Sequence, residues 1–219
     1  MNQVIVESLR GVTLAGGGPF GAGLLARARS HAPVIVAADG GADRLLRMNV
    51  EPEAVIGDFD SISQQAQSRL AGRLFPIPEQ ETTDFDKALR SIKAPFVIGI
   101  GFVGGRLDHE LAVLNALLRH PDQRCLLISP KDVTFVAPLE LHLDLPRGSR
   151  FSLFPMGAVS GESEGLRWPI RGVPFAPDAA IGTSNEVIGP VRLRFSTRKM
   201  LVVLPIKALA TVLRGFGVA

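Results

Sequence analysis

The sequence predicts an α/β parallel-sheet domain over residues 1–138, followed by a smaller all-β sandwich domain over 139–219. Three observations carry this. Over the first 136 residues short apolar runs alternate with stretches of helical period, the pattern of βαβ units. Beyond residue 138 prolines, glycines and period-two alternation take over. The charge balance changes at the same place: residues 1–139 hold 14 Lys/Arg against 15 Asp/Glu, whereas the remaining 80 hold 10 against 6. A chain of 219 residues suits one large or two small domains at roughly 150 residues each.

The apolar runs are Val12 to Ala15, Val34 to Ala38, Ala54 to Ile56, Pro95 to Ile100, Cys125 to Ser129 and Val133 to Val136. Each is short and nearly free of polar residues, as strands covered on both faces are. Helical stretches lie between them at 24–30, 42–48, 61–70, 84–93 and 108–119. In the last, Leu107, Leu111, Leu114 and Leu118 fall on one face, and Pro121 prevents continuation. In the second part, 139–145 and 191–195 alternate with period two, so Arg192 and Arg194 face outward from a half-buried antiparallel strand. Trp168, in Gly165-Leu-Arg-Trp-Pro-Ile170, reads as sandwich core.

Composition excludes several classes. With 46% hydrophobic and 21% charged residues the chain is of ordinary globular type. The net charge of +3 comes without a lysine-rich block, so no nucleic-acid partner is expected. The single cysteine, Cys125, cannot form an internal disulfide and reads as a buried strand position, which makes a cytoplasmic address the default. The uncharged run from Gly11 to Ala26 is broken by three glycines and a proline, and no other run approaches the roughly 20 residues of a membrane span.

The chemistry is carried by aspartates at strand ends. Asp39 ends one apolar run, Asp58 and Asp60 follow the next, Asp84 opens a helix, and Asp108 follows Gly104-Gly105-Arg106-Leu107. In an open parallel sheet ligands bind beyond the carboxyl ends of the strands, so these side chains should converge there. Two carboxylates about 4 Å apart repel by roughly 4 kcal/mol at an effective dielectric near 20, which calls for a cation. Oxygen ligands without a His or Cys cluster indicate Mg²⁺. Plainer roles compete: Asp39 and Asp84 also suit helix caps, His109 suits a surface turn, and Asp86 reads as a solvated first-turn acid. Gly16-Gly17-Gly18 follows a strand and precedes a helix, so its amides can approach a phosphate, although it matches neither Walker A nor GxGxxG.

The ordered set A-D-G-G-A-D (38–43), G-D-F-D-S (57–61), T-D-F-D-K-A-L (83–89), G-G-R-L-D-H (104–109) and T-S-N-E (183–186) resembles the thiamine pyrophosphokinase family. The likeness runs from about residue 34 to 190 and rests on five short motifs in the right order. It implies an α/β nucleotide domain joined to a β-sandwich in a homodimer whose site lies between subunits, transferring pyrophosphate from ATP to thiamine and leaving AMP. It assigns Asp58, Asp60 and Asp84 to Mg²⁺, with Asp39 completing the catalytic acidic set. Asp39, Gly40, Lys87, Arg106, Asp108 and His109 would bind ATP, Lys87 either reaching the phosphates or facing solvent. Thr183, Ser184 and Asn185 would bind thiamine. Some relatives carry a thiamine-stacking tryptophan near the carboxyl terminus, which Met200 to Leu204 lacks. A Mg²⁺-dependent phosphohydrolase and a non-catalytic sensor are the rival readings.

Overall fold

The structure, a computed structural model, describes residues 3–218. The chain divides into two compact units, one running up to Ala116 and including Leu127–Ser129, the other comprising Leu117–Leu126 and everything from Pro130. In chain order the elements are β1 (Val6–Glu7), β2 (Val12–Ala15), α1 (Ala22–His31), β3 (Val34–Ala38), α2 (Gly41–Arg47), β4 (Ala54–Gly57) and α3 (Gln64–Arg69). β5 (Leu74–Pro76), α4 (Asp84–Arg90), β6 (Ile92–Lys93), β7 (Val97–Ile100), α5 (Leu107–Arg119) and β8 (Cys125–Ile128) follow. The remainder is β9 (Asp132–Val136), β10 (Glu140–Leu143), β11 (Arg150–Pro155), β12 (Gly161–Leu166), β13 (Gly182–Phe195), β14 (Met200–Pro205) and α6 (Leu209–Gly215). Among the described residues no helix is long and apolar enough to cross a membrane.

In the first unit β7, β2, β3, β4 and β5 lie side by side and all pair in parallel. Every residue of β2, β3, β4 and β7 is buried, as expected when helices cover both faces. From β2 the chain steps to β3, β4 and β5 on one side and returns to β7 on the other. Strand order therefore reverses at β2, and the crevice beyond the carboxyl ends at such a reversal is where this architecture binds ligands.

The sheet expectation needs one correction. Within 1–138, β9 pairs antiparallel with β14, Val136 facing Leu201 and Val133 facing Leu204, so the strands are mixed rather than purely parallel. Only Ser129, Pro130 and Lys131 separate β8 from β9, far short of the dozen or more residues of a parallel crossover.

In the second unit the long strand β13 pairs with three others. Its first residues pair with β11, and 191–194 are flanked by β10 on one side and β12 on the other. Arg192 and Arg194 point out between buried Val191, Leu193 and Phe195, as the alternation predicts. The unit is not all-β, because α6 closes the chain with Leu209, Val212 and Leu213 buried, an i, i+3, i+4 stripe. Phe216, just beyond it, meets Phe135 edge-on at 5.2 Å.

Two side-chain expectations also change. Leu107 and Leu111 are exposed at 69% and 55%, and the buried positions of α5 are Val113, Ala116 and Leu117. The leucine face is thus not the inward one. Trp168 is 55% exposed, not core: Leu166 and Ile170 are buried on either side, and residues 167–169 form an outward turn between them. Gly165 permits that turn, with φ +76° and a position where a Cβ would lie 2.1 Å from the Pro190 carbonyl.

Close approach also fixes Gly41, where a Cβ would fall 2.1 Å from the Ala15 carbonyl. Gly23, in α1, has nothing within 4 Å of that position. Gly41→Ala is therefore expected to destabilise by at least the roughly 1–3 kcal/mol of overpacking. Gly23→Ala should instead stabilise by about 0.4–1 kcal/mol through the unfolded chain. Thermal melts of the two variants check this, and a Gly41→Ala protein as stable as wild type would contradict the packing described.

Candidate active site

Beyond the carboxyl ends of β2, β3, β4 and β7 lies a cleft of about 840 Å³ lined wholly by the first unit. Asp39, Gly40, Asp58, Asp84, Arg106 and His109 are among its walls. Carboxylate oxygens of Asp39, Asp58 and Asp60 come within 4.8 Å of one another. Sequence reasoning brought Asp58 and Asp60 together with Asp84; geometrically Asp39 makes the third of this group, and Asp84 stands behind it on a buried lysine.

Each carboxylate is held by a local device. Asp39 follows β3 with φ +39°, and its two oxygens accept from the backbone N–H of Ser61 at 3.0 Å and of Ile62 at 3.1 Å. The loop that carries Asp58 and Asp60 is thereby tied to the end of β3. Phe59, between them, has φ +67°. Such left-handed backbone in a non-glycine residue is strained and clusters at functional sites. Asp84 opens α4 behind the N-cap Thr83, and its Oδ1 accepts from the Asp58 N–H at 3.3 Å. Gly57 is required by the crowding, since a Cβ there would lie 2.9 Å from the Asp39 Cβ and 3.1 Å from Asp84 Oδ1.

Lys87, one turn into α4, is 1% exposed and does not face solvent. Its Nζ donates to Asp58 Oδ2 at 2.7 Å and to Asp84 Oδ1 at 3.2 Å. The packing of α4 on β3 and β4 buries it and also buries Asp86, which is therefore not the solvated acid expected from its first-turn position.

The ionisation pattern follows from these contacts. The Lys87 hydrogen bond holds Asp58 below the usual carboxylate range against the effect of burial. Burial pushes Asp39 up to about 6, opposed by the Ser61 N–H and assisted by the charges of Asp84 and Asp60. Burial likewise raises Asp84, against the attraction of Lys87. For Lys87 itself burial acts downward, but its two carboxylates outweigh this and raise it. The outcome is an acidic pocket of hard oxygen donors that gains from a bound cation, the donor set that suits Mg²⁺.

The remaining predicted residues fall in two places. Arg106 and Asp108 form an exposed pair at 2.6 Å, which holds Asp108 down to about 2. Thr183, Ser184 and Asn185 lie on β13 in the second unit; Ser184 has φ +63°, and Asn185 is buried. Gly16 to Gly18 line the cleft, but the Gly16 N–H donates to Ile100 O and the Gly18 N–H to Gly101 O. A Cβ at Gly18 would meet Gly101 O at 2.5 Å. Two of the three amides therefore hold loops together instead of offering themselves to a phosphate.

Sequence reasoning missed the segment before α4. Gln80 Nε2 donates to Asp58 Oδ2 at 3.2 Å, and Thr82 lines the cleft. Glu79 organises both: it accepts from the N–H groups of Glu81 and Thr82, from the Thr82 hydroxyl, and from Arg90 Nη2 at 2.8 Å. Thr82 and Arg90 share a further bond at 3.1 Å. The available signal was an acid three residues before a threonine at a helix entry, which reads as a local turn closure.

Comparison with known proteins gives a consistent picture. The family profile described as "Thiamin pyrophosphokinase, catalytic domain" matches residues 25–128, and "Thiamin pyrophosphokinase, vitamin B1 binding domain" matches 139–202. The chain is 30% identical over 187 residues to thiamine pyrophosphokinase 1 of Oryza sativa subsp. japonica, covering 69% of this chain and 71% of that one. It is 29% identical over 192 residues to thiamine pyrophosphokinase 1 of Arabidopsis thaliana, covering 72% of each. Thiamin pyrophosphokinase from Candida albicans superposes with a TM-score of 0.74 over 91% of each chain at 16% identity, a likeness of fold.

The Glu79 clasp generates a prediction with a definite sign. Its contacts, the Thr82 hydroxyl first, lower its carboxyl from 4.5 to about 2. A carboxylate depressed in the folded state contributes stability that is present above about pH 4.5 and lost as pH falls toward 2. The melting-temperature gap between wild type and Glu79→Gln should therefore be widest above pH 5 and narrow on acidification. Parallel curves across that window would show that the clasp carries no charge-dependent stability.

Proposed function

The chain belongs to the thiamin pyrophosphokinase family, and from that premise we propose that its acidic cleft holds Mg²⁺ and ATP while residues 139–219 take thiamine. The family reaction transfers pyrophosphate from ATP to the hydroxyl of thiamine, giving thiamine diphosphate and AMP. The observation that carries the reading is the convergence of Asp39, Asp58 and Asp60 at a strand-order reversal.

In this reading Asp58 and Asp60, with Asp39 and Asp84 beside them, hold the cation, which when bound offsets phosphate charge. Lys87 keeps Asp58 ionised and ready to ligate, and two of its three donors are used in doing so. Arg106 and His109, which line the same cleft, would face the nucleotide, with Asp108 orienting the Arg106 guanidinium. Transfer needs the thiamine hydroxyl in line with the departing AMP oxygen, so the residues contribute chiefly by positioning and by neutralising charge. Thiamine's thiazolium is a permanent cation, and an acidic rim assists its approach.

The proposal extends to a homodimer, in which a site completed by Thr183, Ser184 and Asn185 of the other subunit is supported by the family resemblance. The exposed Leu107 and Leu111 offer apolar surface suited to association. It also extends to a cytoplasmic address, in keeping with a lone buried Cys125 whose thiol burial pushes well up.

Asp60→Asn keeps shape and removes one anionic ligand, so turnover at limiting Mg²⁺ should fall by at least ~100-fold, with partial recovery as Mg²⁺ is raised. Wild-type rate at limiting Mg²⁺ would remove Asp60 from the metal site. Mixing Asp60→Asn protein with a Ser184→Ala/Asn185→Ala variant should restore activity through heterodimers that contain one intact site. Verified heterodimers without recovered activity would place both halves of the site in one chain.

A further inference from the structure

Asp43 closes the A-D-G-G-A-D motif and lines the cleft from the first turn of α2, yet it lies outside the group formed by Asp39, Asp58 and Asp60. Its carboxylate is engaged elsewhere. Oδ2 accepts from the Ser63 N–H at 2.9 Å and Oδ1 from the Ser63 hydroxyl at 2.5 Å. The main chain and side chain of one residue are thus gripped by the two oxygens of another, and charge-assisted bonds of this kind fix direction as well as distance. Ser63 is also the N-cap of α3, its Oγ accepting from the Ala66 N–H at 3.1 Å. Asp43 therefore ties the first turn of α2 to the start of α3.

Between that tie and the acidic group runs the loop that carries Asp58 and Asp60. The N–H groups of Ser61 and Ile62 donate to Asp39, and the next N–H, that of Ser63, donates to Asp43. Three consecutive amides are held by two carboxylates four residues apart in the chain. At the other end of the loop the Ser61 hydroxyl donates to Asp60 Oδ1 at 2.8 Å, and the Asp60 N–H to Asp58 Oδ1 at 3.3 Å. The hold on Ser61 is thus passed to the Asp60 carboxylate. The left-handed Phe59 gives a reason for so many anchors, because such a residue persists only where its surroundings over-determine it. Of the two anchoring acids, Asp39 belongs to the acidic group, whereas Asp43 acts from outside it.

We infer that Asp43 is a positioning residue for the metal ligands: it acts through Ser63 to hold residues 58–63 closed, so that Asp58 and Asp60 meet a cation in fixed geometry. The inference rests on the reading that these two acids bind Mg²⁺, and it adds a residue that serves the site by geometry and not as a ligand. Asp43 is itself anionic, so its charge is the competing cause of any effect on a cation. Substitution separates the two. Asparagine loses the charge but keeps an acceptor for the Ser63 N–H and a donor for the Ser63 Oγ, whereas alanine loses charge and both contacts.

The test uses the full-length protein and two readouts that do not depend on turnover. Mn²⁺ replaces Mg²⁺, and its binding in the presence of α,β-methylene ATP is followed by the electron paramagnetic resonance of the free ion. Asp43→Ala should raise the Mn²⁺ Kd by ~10-fold, the size of effect usual for a residue that orients a metal ligand, and Asp43→Asn should stay within about two-fold of wild type. Hydrogen exchange without any ligand should show residues 58–63 opening faster in Asp43→Ala, with β2 and β3 as protected as before. Ser63→Ala removes one of the two contacts from the exposed side, should raise the Kd by roughly 3-fold, and carries the test where Asp43→Ala does not fold. A Kd raised equally by Asn and Ala overturns the proposal in favour of charge. A Kd unmoved by Asp43→Ala, or by Ser63→Ala where that variant stands in, also overturns it. So does weakened Mn²⁺ binding with the exchange of 58–63 unaltered, or faster exchange spread evenly over β2 and β3. Wild-type protein that binds no Mn²⁺ with the analogue overturns the metal reading itself, a result distinct from all of these.

Discussion

One buried ammonium holds the head of the first sheet together. Lys87 is 1% exposed, 2.7 Å from Asp58 and 3.2 Å from Asp84, and both acids belong to segments that would otherwise repel. Removing one partner from such a buried set costs about 3–5 kcal/mol, because it strands an uncompensated charge. The lysine is at once the counter-charge that lets β4 and α4 bring their carboxylates together and the reason Asp58 stays ionised. The four carboxylates gathered with this one ammonium at the end of the sheet still leave a local excess of negative charge. In the proposed reading, this residual imbalance is what Mg²⁺ and a nucleotide arriving with it would offset.

The same crowding explains why the backbone around the cleft departs from ordinary geometry. Asp39 and Phe59 sit at positive φ because the loop after β4 must fold back far enough for Ser61 and Ile62 to bond Asp39. Glycines at 16, 18, 41 and 57 are placed where any side chain would strike a neighbouring loop or another acid. Small residues and strained turns are thus two expressions of one demand, that several chain segments approach within hydrogen-bonding distance at the end of the sheet. The Glu79 and Arg90 clasp meets that demand on the remaining wall by bringing Gln80 to Asp58.

Much of this was legible in the sequence because burial on both faces leaves short apolar runs that end in aspartate. Val34–Ala38 and Val12–Ala15 were read to the residue, and Asp39, Asp58, Asp60 and Asp84 do gather at the same end of the sheet. What was not legible depended on partners distant in sequence. The direction of β9 is set by β14, some 65 residues away, and the inward face of α5 by packing that favours Val113 and Ala116 over a leucine stripe of equal periodicity. The C-terminal helix α6 was lost in an expectation of strand to the end. Asp86 was read from its first-turn position, which places a polar group near water, and Lys87 was read as either reaching the phosphates or facing solvent. The burial of α4 on β3 and β4 overrides that rule. Trp168 was read as sandwich core, whereas its turn carries it outward between buried Leu166 and Ile170, with its main chain held by Asn185.

The central claim is that the acidic cleft passes pyrophosphate to thiamine in one coupled displacement and does not spend ATP on water. Phosphorus NMR of the purified protein with ATP and Mg²⁺, with and without thiamine, tests it directly. The arrangement predicts AMP and thiamine diphosphate in equal amounts when thiamine is present, and no AMP, ADP or free phosphate above background when it is withheld. AMP and pyrophosphate released at the same rate without thiamine would contradict it and make the cleft that of a nucleotide hydrolase.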